Sequence, residues 1–265
     1  MTDDNPAQRL AASVASAGER PGAARALILD LDGTLAPIAP TPEIARVPRH
    51  VLASLRVLLD AGWHIAVVSG RSARQTKAMV PVSGVAIFGS HGLERPGRPL
   101  PHRFDAVRAR IGRMARHASD VAAPFPRVRV ERKPVGLAFH DRALAHGERA
   151  RWHRRLAAWL ATQDLSGLQV LHGKRVIELR PAGVDKGAVI SSFPPSRGWH
   201  RFDPSLVVIG DDRTDEDLFD AVSRLAVAIR VGRKGIRSRA THRLPSPVAV
   251  AAFLDALAAG ATDAR

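Results

Sequence analysis

Two aspartates stand two residues apart at the end of a short apolar run, in Asp30-Leu31-Asp32-Gly33-Thr34. Because the side chains of residues i and i+2 can point the same way where a strand ends, both carboxylates can act on one substrate. One can attack phosphorus while the other handles the leaving-group proton, and both positions can present oxygen to a hard cation such as Mg²⁺. Gly33 and Thr34 offer an N–H and a hydroxyl to an anion. A turn or a helix cap is the alternative, whereas an EF-hand fragment is excluded because an apolar strand precedes Asp30.

A second acidic segment, Gly210-Asp211-Asp212-Arg213-Thr214-Asp215-Glu216, also follows an apolar run. Its carboxylates can complete a magnesium site with Asp30 and Asp32, because ligands of open α/β sheets bind at the carboxyl ends of the strands. The alternative is a helix start with Thr214 as N-cap and acids near the positive helix end. The two interpretations are compatible, since Asp211 and Asp212 precede the cap.

Two single residues complete the pattern. Ser69, in Ser69-Gly70-Arg71, can donate a hydrogen bond to phosphate, or it can cap the next helix. Lys186, in Asp185-Lys186-Gly187, can balance phosphoryl charge, although a single Lys before a helix is usually solvated. The joint order of the four motifs favours the chemical interpretation, because phosphoryl transfer requires charge-neutralising groups that converge on one phosphoryl group.

The apolar segments around these motifs predict the elements that position them. Short apolar runs typical of buried strands in a parallel sheet occupy residues 26–29, 64–68, 85–88, 206–209 and 226–229. Helical spacing predicts helices over residues 49–61, about 72–79, about 215–223 and about 247–258. We therefore expect a parallel sheet with helical crossovers.

The middle of the chain has a different order. Helices are predicted at about 103–118 and 146–162, and strand pairs at 127–132 with 135–141 and at 168–172 with 175–180. This α-β-β-α-β-β order suits a small antiparallel sheet with helices on one face. The predicted fold class is α/β, a Rossmann-like core with an inserted α+β cap domain. We expect a flexible N-terminal tail over 1–24, the core over 25–98 and 182–265, and the cap over 99–181.

The composition excludes several functions. There is no Cys, so disulfides, thiolate metal sites and cysteine nucleophiles are excluded, and a cytoplasmic location is expected. No apolar run is long enough to cross a membrane, and the N-terminus lacks a signal-peptide pattern. The net charge of +15 would suggest nucleic acid, but the Arg residues are scattered and no aromatic residues interleave with them. We expect an anionic small-molecule substrate, no nucleic-acid or membrane partner, and a monomer.

The motifs together resemble those of the haloacid dehalogenase superfamily, and specifically the trehalose-6-phosphate phosphatases. The resemblance covers about residues 25–258. It lies in Asp30 to Ile38 with Pro42-Glu43, in Gly89-Ser90-His91-Gly92-Leu93-Glu94, in Lys133 with His140 and Arg142, in Gly173-Lys174 with Glu178, Arg180 and Pro181, and in Gly210 to Glu216. Many relatives carry an aromatic or another apolar residue where this chain has Leu31, a departure that does not affect the chemistry.

The resemblance implies hydrolysis of trehalose 6-phosphate to trehalose and phosphate. Asp30 would attack phosphorus and form an aspartyl phosphate, while Asp32 would protonate the departing sugar oxygen and then activate water. Ser69 and Lys186 would bind the phosphoryl oxygens.

The same resemblance implies Mg²⁺ as cofactor. Asp30, the backbone carbonyl of Asp32 and the carboxylate of Asp211 would hold the ion. Asp215 would lie behind these ligands and orient them, and Asp212 would do the same.

The resemblance also assigns sugar recognition to the cap. The expected contacts are Lys133, His140, Arg142, Lys174 and Glu178, with His91 and Glu94 where the core meets the cap. Alternatively, Lys133 is a turn residue and Glu178 an ordinary strand surface residue. A phosphatase for another sugar phosphate and a catalytically silent sugar-phosphate-binding domain are the alternative functions.

Overall fold

The computed structural model describes residues 5–17, 25–173, 175–193, 206–222, 226–233 and 235–263. The chain divides into two compact units. The first unit comprises Met1–Gly97 and Asp185–Arg265, and the second comprises Arg98–Val184.

The described residues contain ten β-strands and eight α-helices. The strands are β1 (Ala26–Asp30), β2 (His64–Val68), β3 (Ala86–Phe88), β4 (Arg129–Lys133), β5 (Gly136–His140), β6 (Leu168–Gly173), β7 (Val176–Pro181), β8 (Leu206–Gly210), β9 (Val227–Val231) and β10 (His242–Leu244). The helices are α1 (Pro6–Ala17), α2 (Arg49–Asp60), α3 (Ala73–Met79), α4 (Asp105–Ala122), α5 (His146–Leu160), α6 (Ala188–Ser192), α7 (Glu216–Ala221) and α8 (Pro247–Asp263).

A parallel sheet forms the centre of the first unit, in the order β10-β9-β8-β1-β2-β3. Its middle strands are apolar on both faces because helices cover both sides. Leu27 and Leu29 of β1 pack into one apolar cluster, and Ile28 packs into the other. The alternation of successive side chains between the two faces therefore gives the unit two hydrophobic layers.

The parallel arrangement decides where the polar motifs lie. Asp30 pairs with Val68, so Ser69 follows β2 directly beside the end of β1. Leu29 pairs with Ile209 of β8, which brings the segment from Gly210 onward to the same edge of the sheet. The motifs that follow β1, β2 and β8 thus meet at the carboxyl edge of the sheet, as ligand-binding residues do in open α/β folds.

The second unit is an antiparallel sheet with two helices. Its strand order is β4-β5-β7-β6, and β4 pairs with β5 as predicted from the sequence. α4 and α5 contribute to its core, where the ring of Trp152 lies 5.5 Å from that of Phe125 and 5.8 Å from that of Phe139. The fold class predicted from the sequence, a parallel α/β core with an α+β cap, is confirmed.

The structure differs from the sequence-based expectation at the N-terminus. The sequence predicts a loose tail over 1–24, but Pro6–Ala17 form helix α1, which packs against α8. Ala7, Ala11 and Val14 are spaced as one helical face and are buried in the core of the first unit. Tertiary contact thus orders a helix whose narrow, Ala-rich apolar stripe gives a weak signal in the sequence.

The short edge strand β10 was also not predicted from the sequence. It pairs with β9 and extends the parallel sheet at one edge. None of the helices in the described part of the chain is both long and apolar enough to cross a bilayer.

The docking of α1 can be tested with two neighbouring substitutions. Val14→Asp places a charge against α8, and we expect it to lower the free energy of unfolding by about 1–3 kcal/mol. Ser13→Asp changes an exposed position of the same helix and should have little effect. Urea unfolding of both variants measures the difference; equal stabilities would show that the α1 contact contributes nothing.

Candidate active site

Three carboxylates converge at the carboxyl edge of the parallel sheet. Oxygens of Asp30, Asp211 and Asp215 lie within 4.8 Å of one another. Asp30 ends β1, and Asp211 follows β8, the strand beside it. Asp30 and Asp215 are buried, so the carboxylate group is largely shielded from solvent.

Two glycines allow this close approach. Gly33 has a φ of +89°, and a Cβ at this position would lie 2.3 Å from Oδ2 of Asp211. A Cβ on Gly210 would lie 2.2 Å from Cγ of Asp215. Any side chain at either position would displace a carboxylate of the site, so packing requires both glycines, and the positive φ of Gly33 is a second requirement at that position.

The turn after β1 differs from the expectation in one respect. The sequence predicts that Gly33 and Thr34 offer an N–H and a hydroxyl to an anion. Gly33 N instead donates to Ala36 O at 2.7 Å and Thr34 N to Leu31 O at 3.4 Å, so both N–H groups stabilise the turn. Oγ1 of Thr34 is buried and has no hydrogen-bond partner among the described residues.

Lys186 lies between two of the carboxylates. Its Nζ is 2.6 Å from Oδ1 of Asp30 and 2.7 Å from Oδ1 of Asp215, and all three side chains are buried. The alternative interpretation of Lys186 as a solvated residue before a helix is therefore wrong. Its ammonium group compensates negative charge at the strand end.

The charges of this cluster shift the pKa values of its members. Burial raises the pKa of Asp30 well above its ordinary range, and the neighbouring carboxylates of Asp215 and Asp211 raise it further, although Lys186 opposes both effects. Burial would lower the pKa of Lys186, but the carboxylates of Asp215 and Asp30 outweigh it and keep that pKa well above the usual value. The cluster holds Lys186 charged and contains more negative than positive charge.

Asp215 orders the loop that follows β8. Its Oδ2 accepts hydrogen bonds from the backbone N–H groups of Asp211 and Asp212, each at 2.9 Å, while its Oδ1 accepts from Lys186. Since both oxygens are occupied by protein donors, Asp215 is suited to orienting the loop that carries Asp211.

Asp212 is the N-cap of the helical turn Arg213–Asp215, a position that the sequence assigns to Thr214. Oδ1 of Asp212 accepts from the backbone N and the Oγ1 of Thr214, at 2.5 and 2.8 Å. Burial would raise the pKa of Asp212, but the Lys186 charge and the hydrogen bonds from Thr214 lower it overall. A charged Asp212 fits its position at the positive end of a helical turn.

Ser69 and Asp32 are both bonded to Arg71. Oγ of Ser69 accepts from Arg71 N at 3.1 Å, and Ser72, not Ser69, caps the next helix. The carboxylate of Asp32 accepts two hydrogen bonds of 2.6 Å from the Arg71 guanidinium. Arg71 was not among the site residues predicted from the sequence, although the Ser69-Gly70-Arg71 motif contains it.

Arg230, the penultimate residue of β9, was also not predicted as a site residue. Its guanidinium donates to the backbone oxygens of Asp211 and Asp212, at 3.1 and 3.3 Å, and to Oε1 of Glu216 at 2.5 Å. It therefore binds the backbone oxygens of the same two residues whose backbone N–H groups bind Asp215. The only signal in the sequence is a charged residue within an apolar strand.

His91 and Glu94 lie on a loop with an unusual backbone. Ser90 and His91 both have positive φ angles, 47° and 57°. The hydroxyl of Ser90 donates to Glu94, and the other carboxylate oxygen of Glu94 accepts from Ala73 N at 3.2 Å. The His91 ring packs over Gly70, where a Cβ would lie 2.9 Å from its Cε1. Glu94 thus fixes the loop to the start of α3, and contacts of both residues with a sugar stay predictions.

In the second unit, Lys133 and Glu178 form a buried ion pair. Nζ of Lys133 is 2.5 Å from Oε1 of Glu178, although the residues are 45 positions apart. Neither is an exposed turn or surface residue, which removes the two alternatives considered for them. Arg142 is exposed in the segment after β5. Lys174, which was also assigned to sugar binding, lies outside the described residues.

His140 is paired with Glu131, a residue that was not predicted. Nε2 of His140 is 2.8 Å from Oε2 of Glu131 across the β4–β5 hairpin. The hydrogen bond with His140 lowers the pKa of Glu131 to about 2, with help from the charges of Lys133 and Arg129 and against a smaller effect of burial. Glu131 is opposite Ala138 and His140 is opposite Arg129, so the two side chains meet diagonally across the hairpin. This pairing can be inferred from the sequence only after the hairpin register is known.

The carboxylate cluster fits a divalent cation. Asp30 and Asp211 supply carboxylate oxygens, which Mg²⁺ prefers, and three carboxylates with one ammonium leave a negative excess that such an ion would balance. The Asp32 carboxylate is bound by Arg71 instead. This arrangement agrees with a role in metal binding for the backbone oxygen of Asp32 and not for its side chain.

Comparison with known proteins identifies the family. The trehalose-phosphatase family model matches residues 28–248. A probable trehalose-phosphate phosphatase of Sinorhizobium fredii is 32% identical over 238 residues, which cover 88% of this chain and 87% of that protein. The chain belongs to the trehalose-phosphatase family. The family resemblance inferred from the motifs is therefore confirmed.

Two other similar proteins differ from this chain in length or share a lower sequence identity with it. A Mycobacterium tuberculosis protein described as an uncharacterized glycosyl hydrolase is 35% identical over 252 residues, which cover 91% of this chain but 18% of that protein. The trehalose-phosphatase-like chain thus corresponds to a small part of this longer relative. The C-terminal domain of Candida albicans trehalose-6-phosphate phosphatase superposes with a TM-score of 0.78 at 22% identity, over 95% of this chain and 96% of that domain, which shows a shared fold.

The Glu131–His140 pair gives a pH-dependent contribution to stability. Because the pKa of Glu131 is lowered from 4.5 to about 2 on folding, its stabilising effect is complete above pH ~4.5 and is lost as the pH falls towards 2. The two side chains are 20% and 25% exposed, so solvent screening limits the effect to about 1 kcal/mol. We expect the free energy of unfolding of wild type to exceed that of Glu131→Gln by this amount at pH 5. Near pH 2 the two free energies should become equal.

Urea unfolding between pH 5 and 2 measures this difference. Asp105→Asn is the matched control, because Asp105 pairs with His102 at 3.1 Å on an exposed helix end and should show a smaller change. A constant difference between wild type and Glu131→Gln across the range would contradict the assignment.

Proposed function

We propose that this chain hydrolyses trehalose 6-phosphate to trehalose and phosphate through a covalent aspartyl phosphate. The observation that carries the proposal is the buried Asp30 carboxylate, held 2.6 Å from Lys186 and grouped with Asp211 in a chain of the trehalose-phosphatase family. Such a group supplies a nucleophile together with charges that can balance a phosphoryl group. The names of relatives support this substrate, among them that of a probable trehalose-phosphate phosphatase matched over most of its length.

In the first step, Asp30 attacks phosphorus and the bond between phosphorus and the sugar oxygen breaks. Asp32 gives a proton to the departing oxygen, so that trehalose leaves as a neutral alcohol. In the second step, Asp32 takes a proton from water as the water oxygen attacks phosphorus. The bond between phosphorus and the Asp30 oxygen breaks, which releases inorganic phosphate and restores the Asp30 carboxylate. The two aspartates keep separate roles because Asp30 is buried beside Lys186 whereas Asp32 is partly exposed beside Arg71.

Lys186 and Ser69 are proposed to bind the phosphoryl oxygens of the substrate. Lys186 is charged and lies within hydrogen-bond distance of the nucleophile, so the same ammonium group can contact a phosphoryl group attached there. The Ser69 hydroxyl accepts from Arg71 N and has its own hydrogen to donate at the neighbouring strand end.

Asp30, the backbone oxygen of Asp32 and Asp211 would hold Mg²⁺. When bound, this ion supplies positive charge that favours the attack of one anion on another. Asp215, aided by Asp212, would keep Asp211 in place through the loop hydrogen bonds described above.

Sugar recognition is proposed for residues of the second unit and for the loop before it. The proposed residues are His91, Glu94, Lys133, His140, Arg142, Lys174 and Glu178. The buried Lys133–Glu178 pair supports this, because a buried ion pair is costly to form and is retained in many proteins for a specific role rather than for stability. Selectivity for trehalose over other sugars would then depend on these residues and not on Asp30.

A phosphate-release assay tests the reaction and its substrate. We expect Mg²⁺-dependent release from trehalose 6-phosphate at least ~10-fold faster than from sucrose 6-phosphate or glucose 6-phosphate, because a methylene-sized or larger mismatch in a pocket costs about this much. Similar rates on all three would contradict the trehalose assignment and leave a broad sugar phosphatase.

Asp30→Asn tests the covalent step. It preserves the shape of the side chain but removes the nucleophilic oxygen anion, so we expect phosphate release to fall by roughly 10⁴-fold or more. Asp60→Asn, at the end of α2 and away from the sheet edge, is the control and should retain activity. Release by Asp30→Asn at the wild-type rate would rule out an aspartyl phosphate at this residue.

Asp211→Asn tests the metal assignment without an activity measurement. Mg²⁺ that binds only the folded protein raises its stability by mass action. We expect the Mg²⁺ dissociation constant, from calorimetric titration and from the Mg²⁺-dependent rise in melting temperature, to increase by at least about 10-fold. Asp220→Asn, on the exposed face of α7, should bind Mg²⁺ as wild type does; equal affinities of both variants would contradict the assignment.

A further inference from the structure

The carboxylate of Asp32 is held by one side chain. Arg71 Nε donates to its Oδ2 and Arg71 Nη2 to its Oδ1, both at 2.6 Å, in a two-pronged arrangement. The Asp32 side chain is 35% exposed, so packing does not fix it as burial fixes Asp30. The orientation of the Asp32 carboxylate therefore depends on Arg71.

Arg71 is itself fixed on several sides. Its third guanidinium nitrogen, Nη1, donates to Pro42 O at 2.9 Å, and its side chain is only 13% exposed. Its backbone N donates to Ser69 Oγ, and its backbone O accepts from Ser90 N at 2.7 Å. A guanidinium anchored at this many points has one available geometry, and it transmits that geometry to the carboxylate that it binds.

We propose that Arg71 is a positioning residue that fixes the Asp32 carboxylate for proton transfer to the leaving oxygen and from the attacking water. This proposal rests on the proposed function. In each step one Asp32 oxygen must exchange a proton with substrate or water. The second hydrogen bond of the guanidinium keeps the carboxylate in place while the first is released.

An ordinary surface ion pair would not have this geometry. Exposed pairs contribute little to stability, and their partners sample many rotamers. Here the guanidinium is mostly buried, uses three of its nitrogens and spans 39 residues of sequence to reach Asp32. The N–H groups of Nε and Nη2 are directed at Asp32, so these two are not available to a phosphate while the pair is formed.

Steady-state kinetics of Arg71→Ala and Arg71→Lys test the proposal. We expect kcat for trehalose 6-phosphate to fall on the order of 10- to 100-fold in both, with KM changed by less than about 2-fold. Lys keeps the positive charge but lacks the two parallel N–H donors of the guanidinium, so Arg71→Lys should not retain the wild-type kcat. Guanidinium ion at concentrations far below those that unfold the protein should partly restore Arg71→Ala and should not affect Arg74→Ala, which alters an exposed Arg of α3.

A substrate whose leaving group needs no proton distinguishes the two steps in which Asp32 acts. p-Nitrophenolate departs without a proton, so the first step no longer needs Asp32 as an acid, whereas the second still needs it as a base. With p-nitrophenyl phosphate we expect Arg71→Ala to show a burst of up to one p-nitrophenolate per site, followed by slow turnover. Loss of kcat without a burst would overturn the proposal.

A double-mutant cycle decides whether Arg71 acts through Asp32. If it does, Arg71→Ala has no further effect on kcat in an Asp32→Asn background. Additive losses, or a raised KM with weaker inhibition by inorganic phosphate, would overturn the proposal and make Arg71 a phosphate ligand. Wild-type rates in both Arg71 variants would overturn it as well while the proposed function stands. Absence of phosphate release by wild type would instead overturn the proposed function itself.

Discussion

The buried ammonium group of Lys186, placed between Asp30 and Asp215, is the interaction on which the rest of the site depends. Bringing these charges out of water costs several kcal/mol per ion, and their mutual attraction offsets this only when the geometry is close. Distances of 2.6 and 2.7 Å meet that requirement. Asp211 adds a third carboxylate, so the balance is negative. Burial raises the pKa of Asp30, and the carboxylates of Asp215 and Asp211 add to this effect against the opposing charge of Lys186. A site with this charge favours a cation or a proton beside the nucleophile.

Such a cluster needs a rigid frame, which the parallel sheet and its loops provide. Adjacent strands deliver Asp30 and the Asp211 loop to the same edge, and two glycines let the carboxylates approach the backbone. The loop is held by its backbone N–H groups, which donate to Asp215, and by the guanidinium of Arg230, which donates to its backbone oxygens. Half of these donors are backbone N–H groups, which have no signature of their own in a sequence.

This explains which features the sequence could predict. Strand positions, the four motifs and the convergence at one edge follow from local apolar patterns and from the parallel order, so the fold class and the carboxylate group were accessible. Arg71 and Glu131 were not predicted, because their roles come from pairing with residues 39 and 9 positions away, in registers that no local pattern specifies. Helix α1 was missed because two of its three buried positions, Ala7 and Ala11, are small and gain their burial only from α8.

Lys and Arg occupy different positions in the site because their cationic groups differ in shape. Only five of the 40 basic residues are Lys, yet one of them occupies the position between two separate carboxylates, where a compact charge with rotatable donors can contact both. Arg71 instead faces one carboxylate edge-on, where a planar fork matches both oxygens. Arg230 uses its several donors to reach two backbone oxygens and a carboxylate. The strongly basic composition therefore contributes to the site through a few positions whose geometry distinguishes the two cations, and the remaining positive charge gives an anionic substrate a favourable field.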